Sequence, residues 1–448
     1  MKTLVRFAAL AAITTMANAE TKIRLLTLDP GHFHAALVQK SMYPNVDPVV
    51  HVYSPGGPDL EMHLKRIEGF NTRAENPTHW EEKVYTGPDF LEKMIAEKKG
   101  NVVIISGNNA KKAKYILACV KAGLNVLADK PMAITPADFR LLEEAFVVAR
   151  KNNVLLYDIM TERYEITTIL QRELARQPLV FGSLERGTPD QPAITKESVH
   201  HFSKLVAGKP LIRPPWFFDV TQQGEGIVDV TTHLTDLVQW ECFPEQALHP
   251  REARVLEARR WTTQMTPAQF QKVTNLTTYP DYLKGCVDKN NNLNIYANGE
   301  FIYELRGVHA KISVEWRFEA PPGGGDTHYS MMRGTKANLV IRQGKEQNYR
   351  PKLYVEKTAH QSDAEFERVL RRCVDKLAAT WPGVDFQRCD GGWEIVIPDK
   401  YHNGHEAHFA QVTEKYLGFL ATGKMPDWEV PNMITKYSTI MQAYKRSR

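Results

Sequence analysis

Short apolar strands alternate with helices from Thr21 to about Met160, and this alternation limits the possible folds more than any other feature of the chain. Strands are predicted near residues 22–28, 48–53, 102–105, 125–128 and 154–157, with helices between them. Strict alternation requires right-handed crossovers and therefore a parallel sheet. The pattern predicts a doubly wound α/β domain over residues 20–160, with ligands bound beyond the carboxyl ends of its strands.

The pattern changes after Met160 to strands joined by turns, most clearly between Leu293 and Arg342. Alternating polar and apolar residues, with turn sequences such as Asn298-Gly299, predict a mainly antiparallel sheet. Helices are predicted beside it at residues 363–381, 406–421 and 433–446. The second domain, residues 161–448, is therefore expected to be α+β, with final helices that can pack back on the first domain.

The N-terminal residues 1–19 have the pattern of a secretory signal. Lys2 and Arg6 precede an apolar stretch that runs to Met16, and Ala17-Asn18-Ala19 supplies small residues before a cleavage point after Ala19. A periplasmic or otherwise secreted protein is expected. No later apolar run reaches the ~20 residues that span a bilayer. The 57 Lys and Arg residues are spread among 52 Asp and Glu residues, a balance that argues against nucleic acid as the partner.

Cysteine and histidine spacing favours neither a disulfide framework nor a metal site. The five cysteines are odd in number and lack C-x-x-C spacing, although a single bridge between Cys373 and Cys389 is allowed. Histidines 402, 405 and 408 are three residues apart, but Gly404 interrupts the stretch. No metal site is predicted, and polar packing near a domain junction is the favoured explanation of these histidines.

A single glycine marks the turn after the first strand, Asp29-Pro30-Gly31-His32-Phe33-His34. Gly31 stands at the middle glycine of a G-x-G-x-x-G sequence, the position that lets a pyrophosphate approach the backbone. An ordinary strand-to-helix turn explains the segment about as well. The second strand does not end in the acid that binds a ribose, which leaves NAD and NADP both open. The candidate cofactor-binding residues are Gly31, His32, Phe33, Ser54, Ser106, Asn108 and Lys130.

Proton-handling side chains are predicted on two segments about a hundred residues apart. Lys130 follows a strand and precedes Pro131, where it could polarise a substrate oxygen. Asp229, His233 and Asp236 recur at spacings of four and three on one face of a predicted helix that Gly226 opens. A carboxylate one turn before a histidine can orient the ring and support its charged form, as a general base requires. The alternatives are a solvated lysine and a core histidine.

Asp129-Lys130-Pro131 and the segment from Gly224 to Asp236 together resemble the glucose-fructose oxidoreductase/inositol dehydrogenase (Gfo/Idh/MocA) family. The family has Glu-Lys-Pro at the first motif and a glycine where this chain has Thr231. The resemblance implies a Rossmann-like first domain and a catalytic trio, in which His233 accepts a proton, Lys130 polarises the oxygen and Asp229 supports both. It also implies that residues 161–164 turn into the second domain. Residues 363–401 depart from the family, because this segment is longer than the usual C-terminal sheet region, and we interpret it as a subfamily insertion. The substrate-binding candidates are Arg163, Trp216 and Asp236.

The function that this resemblance implies is oxidoreduction. We expect hydride transfer between a tightly bound NAD or NADP and a hydroxyl of a sugar or glycoside. Two alternatives stay open, a glycosidase or lyase that oxidises its substrate transiently and a non-catalytic carbohydrate-binding protein. The expected partner is a small-molecule carbohydrate, with no nucleic acid and no membrane span, and the antiparallel sheet could pair two copies in a homo-oligomer.

Overall fold

The computed structural model describes residues 22–206, 209–358 and 360–448, so the predicted signal segment lies outside the described residues. The first domain contains six strands, one more than the five predicted, and five α-helices, and strands and helices alternate as predicted. Its strands, β1 to β6, are Leu25–Leu28, Val49–Ser54, Glu81–Thr86, Val102–Ile105, Asn125–Asp129 and Leu156–Ile159. Its helices, α1 to α5, are His34–Leu37, Pro58–Thr72, Phe90–Glu97, Asn109–Lys121 and Pro136–Lys151.

The six strands form one parallel sheet in the order β3-β2-β1-β4-β5-β6. Strands such as Val102–Ile105 are buried along their whole length, because helices cover both faces of the sheet. Helix α5 begins as its sequence predicts, since the Thr135 side chain accepts from the Asp138 N–H and Asp138 binds back to the Thr135 backbone. The predicted parallel α/β domain is confirmed.

The second domain follows from residue 161 and mixes strands with helices. Its strands, β7 to β17, are Ile194–Ser203, Leu205–Val206, Lys209–Pro210, Ala253–Met265, Leu293–Leu305, Val308–Glu319, Thr327–Arg333, Ala337–Arg342, Lys352–Lys357, Asp385–Cys389 and Gly392–Val396. Its helices, α6 to α12, are Ile166–Ala175, Val220–Gln223, Thr231–Cys242, Pro267–Thr274, Asp363–Thr380, His405–Thr422 and Glu429–Arg446.

Nine of these strands form one sheet in the order β10-β11-β12-β7-β13-β14-β15-β17-β16. Every neighbouring pair is antiparallel except β12 and β7, so the predicted, mainly antiparallel α+β domain is confirmed. The segment at residues 363–401 forms α10 and the β16–β17 hairpin at the edge of this sheet. Pairing of two copies through the sheet stays a prediction.

The last two helices pack on the first domain. Phe409 and Tyr416 of α11 and Tyr437 of α12 belong to the same apolar core as the parallel strands. The Tyr437 hydroxyl also accepts a hydrogen bond of 3.0 Å from the Met132 N–H, just after β5. The domains therefore share a packed boundary, and the carboxyl ends of the parallel strands face it.

The described residues also bear on two simpler expectations. All five cysteines are free, so the structure does not form the bridge between Cys373 and Cys389 that the sequence allows. Among the helices of the described ranges, none is both long and apolar enough to cross a membrane.

Candidate active site

Lys130 and Asp229 meet at the boundary between the two domains. Lys130 is the first residue after β5, at the carboxyl edge of the parallel sheet, and its Nζ lies 2.5 Å from Asp229 Oδ1. The two side chains are only 11% and 7% exposed. The two charges interact strongly, because they are close together and little water screens them. The two sequence motifs that carry Lys130 and Asp229 therefore lie close together in the fold.

Asp229 lies in the turn before α8, because that helix begins at Thr231 rather than at Gly226 as the sequence predicts. Asp229 Oδ2 also accepts a 3.3 Å hydrogen bond from Gln223 Nε2. Gly226 does not open a crevice for a ligand. A side chain there would lie 1.8 Å from the Ala297 carbonyl oxygen, so this glycine allows the turn to pack on β11.

His233 occupies the first turn of α8 and lines the same cavity as Lys130 and Asp229. Its Nδ1 is buried and has no hydrogen-bond partner among the described residues. Burial, with the Lys130 ammonium adding to it, holds the pKa of His233 well below its usual value of 6.5. The ring is therefore neutral, and its Nδ1 is not committed to another side chain of the described residues.

The predicted support of His233 by Asp229 takes a different form in the structure. Within the described ranges no hydrogen bond joins the two side chains, because both Asp229 oxygens are directed to Lys130 and Gln223. Asp229 consequently holds the lysine rather than the imidazole.

The cavity that these three residues line has a volume of about 1870 Å³ and lies between the domains. Phe217 and Trp316 form an aromatic wall, and the Arg213 guanidinium lies 4.4 Å and 5.4 Å from the centres of their rings. Aromatic faces beside a few directed polar groups are typical of sites that bind small molecules. The cavity is large enough for a sugar with a substituent.

Glu162 is a cavity residue that the sequence reasoning did not single out as functional. Burial raises its pKa to about 7, and the neighbouring Glu165 carboxylate contributes to the increase. The residue follows β6 closely, so it lies at the same carboxyl edge as Lys130. Its position shortly after a predicted strand is the sequence feature that indicates this location. A carboxyl with this pKa can donate or accept a proton near neutral pH.

The histidines at 402, 405 and 408 all line the cavity, at the start of α11. The His405 ring centre lies 5.5 Å from that of His34, a residue of the first domain. Burial lowers the pKa of His405 to about 3 and that of His408 to about 4. Both rings are therefore neutral, as expected for packing at a domain junction.

The crevice at Gly31 is filled by protein side chains. A β-carbon at Gly31 would lie 3.0 Å from Asp59 Oδ2 and 3.2 Å from Trp216 Cζ2, and the Trp216 indole N–H donates to Asp59 Oδ2 at 2.8 Å. The backbone N–H groups of Gly31 and His32 both donate to the Ser106 carbonyl oxygen at 3.2 Å. The groups that would contact a pyrophosphate thus already have protein partners.

Three further predicted cofactor residues also form hydrogen bonds within the protein. Ser54 accepts from the Gly56 N–H, and the buried Ser106 hydroxyl donates to Asp129. Asn108 caps α4 and donates to Gln222 Oε1 at 2.7 Å.

The residues at Gly31 therefore do not fit a dinucleotide pyrophosphate in this conformation. The space beside Gly31 that is separate from the large cavity has a volume of only about 10 Å³. The carboxylate of Asp59 would also face the phosphates. Of the predicted cofactor residues, His32, Phe33 and Lys130 do line the large cavity.

The predicted substrate-binding residues lie elsewhere in the described structure, outside the lining of the cavity. Trp216 is the residue that covers Gly31. Arg163 binds Asp236 through two hydrogen bonds of 2.6 Å and 2.7 Å and reaches Glu429 on α12 at 3.0 Å. Lys436 joins the same network at 2.9 Å from Asp236. Arg163 and Asp236 thus connect elements of the protein to one another.

Comparison with known proteins agrees with the fold. The family model described as "Putative oxidoreductase C terminal domain" matches residues 170–448, and the model described as "Oxidoreductase family, NAD-binding Rossmann fold" matches residues 34–158. No curated protein matches the chain.

Among solved structures, a "putative oxidoreductase" from Parabacteroides merdae is 57% identical, with a TM-score of 0.93, over 95% of this chain and 97% of that one. More distant structures share the fold alone. A variant of KijD10, a 3-ketoreductase from Actinomadura kijaniata in complex with TDP-benzene and NADP, is 13% identical with a TM-score of 0.57, over 95% and 98% of the two chains. A "putative myo-inositol dehydrogenase" from Sinorhizobium meliloti is 12% identical with a TM-score of 0.55, over 95% and 97%.

The C-terminal family model alone covers more than half of the chain, and the relative from Parabacteroides merdae covers nearly all of it. The protein therefore belongs to the Gfo/Idh/MocA oxidoreductases, in the group whose NAD-binding Rossmann domain is followed by this C-terminal domain.

Proposed function

We propose that this protein is an oxidoreductase that acts at a hydroxyl group of a sugar or related polyol and takes the proton from the hydroxyl oxygen. One observation carries the proposal: the Lys130–Asp229 ion pair and the neutral His233 line one large cavity between the domains. Such a reaction needs a group that accepts the proton and a cation that stabilises the developing negative charge.

The protein's own residues have distinct tasks in this proposal. His233 takes a proton from the substrate, because its imidazole is neutral. Lys130 lies beside the substrate oxygen and stabilises the negative charge that forms there, while Asp229 holds the lysine side chain in place. The aromatic wall of Phe217 and Trp316 orients the ring of the substrate.

A nicotinamide supplies hydride chemistry in this family when it is bound. Since the residues at Gly31 do not fit its pyrophosphate in this conformation, none of these tasks depends on it.

An elimination is a second candidate, and Glu162 favours it. On a sugar that carries a keto group, His233 would remove the proton next to the carbonyl and Lys130 would stabilise the enolate oxygen. A protonated Glu162 would then give its proton to the leaving oxygen as the carbon–oxygen bond breaks. A pKa of about 7 keeps this carboxyl partly protonated at neutral pH. The reaction forms a carbon–carbon double bond next to the carbonyl and needs no oxidant.

The test uses the full-length protein with two sets of substrates. Sugars and polyols are supplied with NAD or NADP, and turnover is followed by the absorbance of the reduced nicotinamide. Keto-sugar glycosides are supplied alone in D₂O, and NMR follows exchange of the proton next to the carbonyl and release of the aglycone. Either activity should fall at least ~100-fold in Lys130→Met and His233→Ala variants.

The two reactions respond differently to Glu162. Glu162→Gln should abolish aglycone release and leave hydride transfer within a factor of a few, since only elimination uses the extra acid. The exposed Glu75, which lines the same cavity, provides the matched control Glu75→Gln. Absence of both activities in the unmodified protein, together with binding of sugar, would favour the non-catalytic alternative and overturn the proposal.

Export is a separate part of the proposal and rests on the pattern at residues 1–19. Expression in a Gram-negative host, followed by fractionation and N-terminal sequencing, should find a periplasmic chain that begins at Glu20. A cytoplasmic chain that retains the segment would contradict this part and leave the enzymatic proposal unchanged.

A further inference from the structure

We propose that His32, His34 and Asp129 form a binding site for a divalent transition-metal ion at the wall of the cavity. One nitrogen from each histidine and one carboxylate oxygen all lie within 4.8 Å of one another. His34 Nδ1 is 2.9 Å and His32 Nδ1 is 3.5 Å from Asp129 Oδ2. Two imidazoles and a carboxylate are a common ligand set for Zn²⁺, Fe²⁺ or Co²⁺.

The parallel sheet brings these three residues together. His32 and His34 follow β1, whereas Asp129 ends β5, and the two strands flank β4. The turn after β1 is held by the hydrogen bond from the His32 N–H to the Ser106 carbonyl oxygen, and Ser106 itself follows β4. The site thus spans three adjacent carboxyl ends, the edge at which parallel sheets bind ligands.

The carboxylate is buried and has a free oxygen. Asp129 is 3% exposed, and its Oδ1 has no hydrogen-bond partner within the part of the chain that the structure describes. His32 Nδ1 is likewise buried without a hydrogen bond. Buried polar atoms normally have partners, so two unpaired atoms on neighbouring side chains of one cluster point to a ligand. A metal ion would satisfy both.

Neighbouring groups hold the carboxylate in position. The Ser106 hydroxyl donates to Asp129 Oδ2 at 3.0 Å, and Lys112 Nζ donates to the Asp129 backbone carbonyl at 2.9 Å. Outer hydrogen bonds of this kind orient metal ligands. The nearby Lys130 ammonium is paired with Asp229, which reduces its repulsion of a cation.

The site also has access to the cavity. Both histidines line it, so coordination positions not filled by the protein would face a substrate or water. The proposal therefore concerns a group distinct from the dinucleotide of the family. The ion could polarise a carbonyl or hydroxyl oxygen of the ligand held there.

A second cluster in the cavity offers an internal control. His200 and His201 contact Asp326 at 3.0 Å and 3.3 Å, so this cluster also consists of two histidines and an aspartate. Here the Lys204 ammonium also contacts the Asp326 carboxylate, so the protein already supplies the cation. We expect this second cluster to bind no metal.

The experiment titrates the chelator-treated, full-length protein with Co²⁺ and follows visible d–d absorption and heat of binding. One Co²⁺ per chain should bind, because two imidazole nitrogens and one carboxylate oxygen lie within 4.8 Å of one another. Asp129→Asn and His34→Ala should weaken binding at least ~tenfold, and His200→Gln should leave it unchanged.

A folding control keeps this test decisive. His32 is the most exposed of the three ligands, so His32→Gln is the variant that least disturbs the core, and circular dichroism verifies its fold. Failure of the unmodified protein to bind one Co²⁺ would overturn the proposal, as would binding that survives His32→Gln and His34→Ala or is lost in His200→Gln. Because no turnover is measured, the result is independent of the proposed reaction.

Discussion

Lys130 Nζ lies 2.5 Å from Asp229 Oδ1, although 99 positions separate the two residues in the chain. Lys130 follows strand β5 of the first domain, and Asp229 precedes helix α8 of the second. The ion pair is therefore also a contact between domains, and it couples the candidate chemistry to the relative placement of the two domains.

Removing one partner of this pair should destabilise the protein. Asp229→Asn leaves an unpaired ammonium in a dry site, and we expect each of Asp229→Asn and Lys130→Met to lower the free energy of unfolding by about 3–5 kcal/mol. The double variant should lose less than the sum of the two. Urea unfolding measures all three, and Asp281→Asn, at the exposed Lys284–Asp281 pair, should change nothing measurable. Additive losses would contradict the coupling.

The Arg163 network should matter for stability rather than for ligand affinity. Arg163→Gln leaves Asp236 and Glu429 without their guanidinium, and we expect a loss of about 3–5 kcal/mol in the free energy of unfolding. Sugar affinity measured by calorimetry on the folded variant should stay within about twofold, because the residue does not line the cavity. Arg176→Gln at a surface pair is the control. A large loss of affinity with unchanged stability would instead restore the predicted role in substrate binding.

Removing the carboxylate that faces Gly31 should improve dinucleotide binding. Asp59→Asn removes a negative charge from the place where a pyrophosphate would lie, and it weakens the contact that holds Trp216 over the glycine. Like charges a few ångströms apart repel by about 1–4 kcal/mol, so NAD or NADP should bind at least ~tenfold more tightly. Calorimetry measures the affinity. The variant Glu61→Gln changes an exposed acid on the same helix and should have no effect. Equal affinities of the unmodified protein and both variants would contradict this prediction, because they would show that Asp59 does not oppose dinucleotide binding.

Glu162 should make stability fall as pH rises. Its pKa is about 7 in the folded protein, against an ordinary value of 4.5, so the folded state retains a proton that the unfolded chain releases between these values. Stability is therefore highest below pH 4.5 with respect to this group, and it is lost progressively up to about pH 7, by roughly 3 kcal/mol. Glu162→Gln should remove this slope and be the more stable protein at pH 8. Urea unfolding from pH 5 to 8 checks it, and an unchanged slope would contradict it.

The fold of the first domain can be predicted from the sequence because the sequence features that determine it are local. Continuous apolar runs, alternating helices and capping residues such as Thr135 determine a parallel sheet, and a parallel sheet determines the edge at which ligands bind. The position of Lys130 directly after an apolar strand is enough to assign it to that edge. The periodicity of the segment around His233 likewise predicts a buried helix, although the helix begins at Thr231 and not at Gly226 as predicted.

Tertiary structure alone decided which side chains meet. Periodicity defines a helix face but not the element that packs against it. The sequence therefore predicts Arg163 and Asp236 as substrate ligands, whereas the fold pairs them with each other. Trp216 reaches Gly31, and Asp129 reaches His32 and His34, because chain-distant strand ends and loops converge at one boundary. Their chemistry depends on distances of a few ångströms and on burial, and neither quantity is encoded in residue spacing.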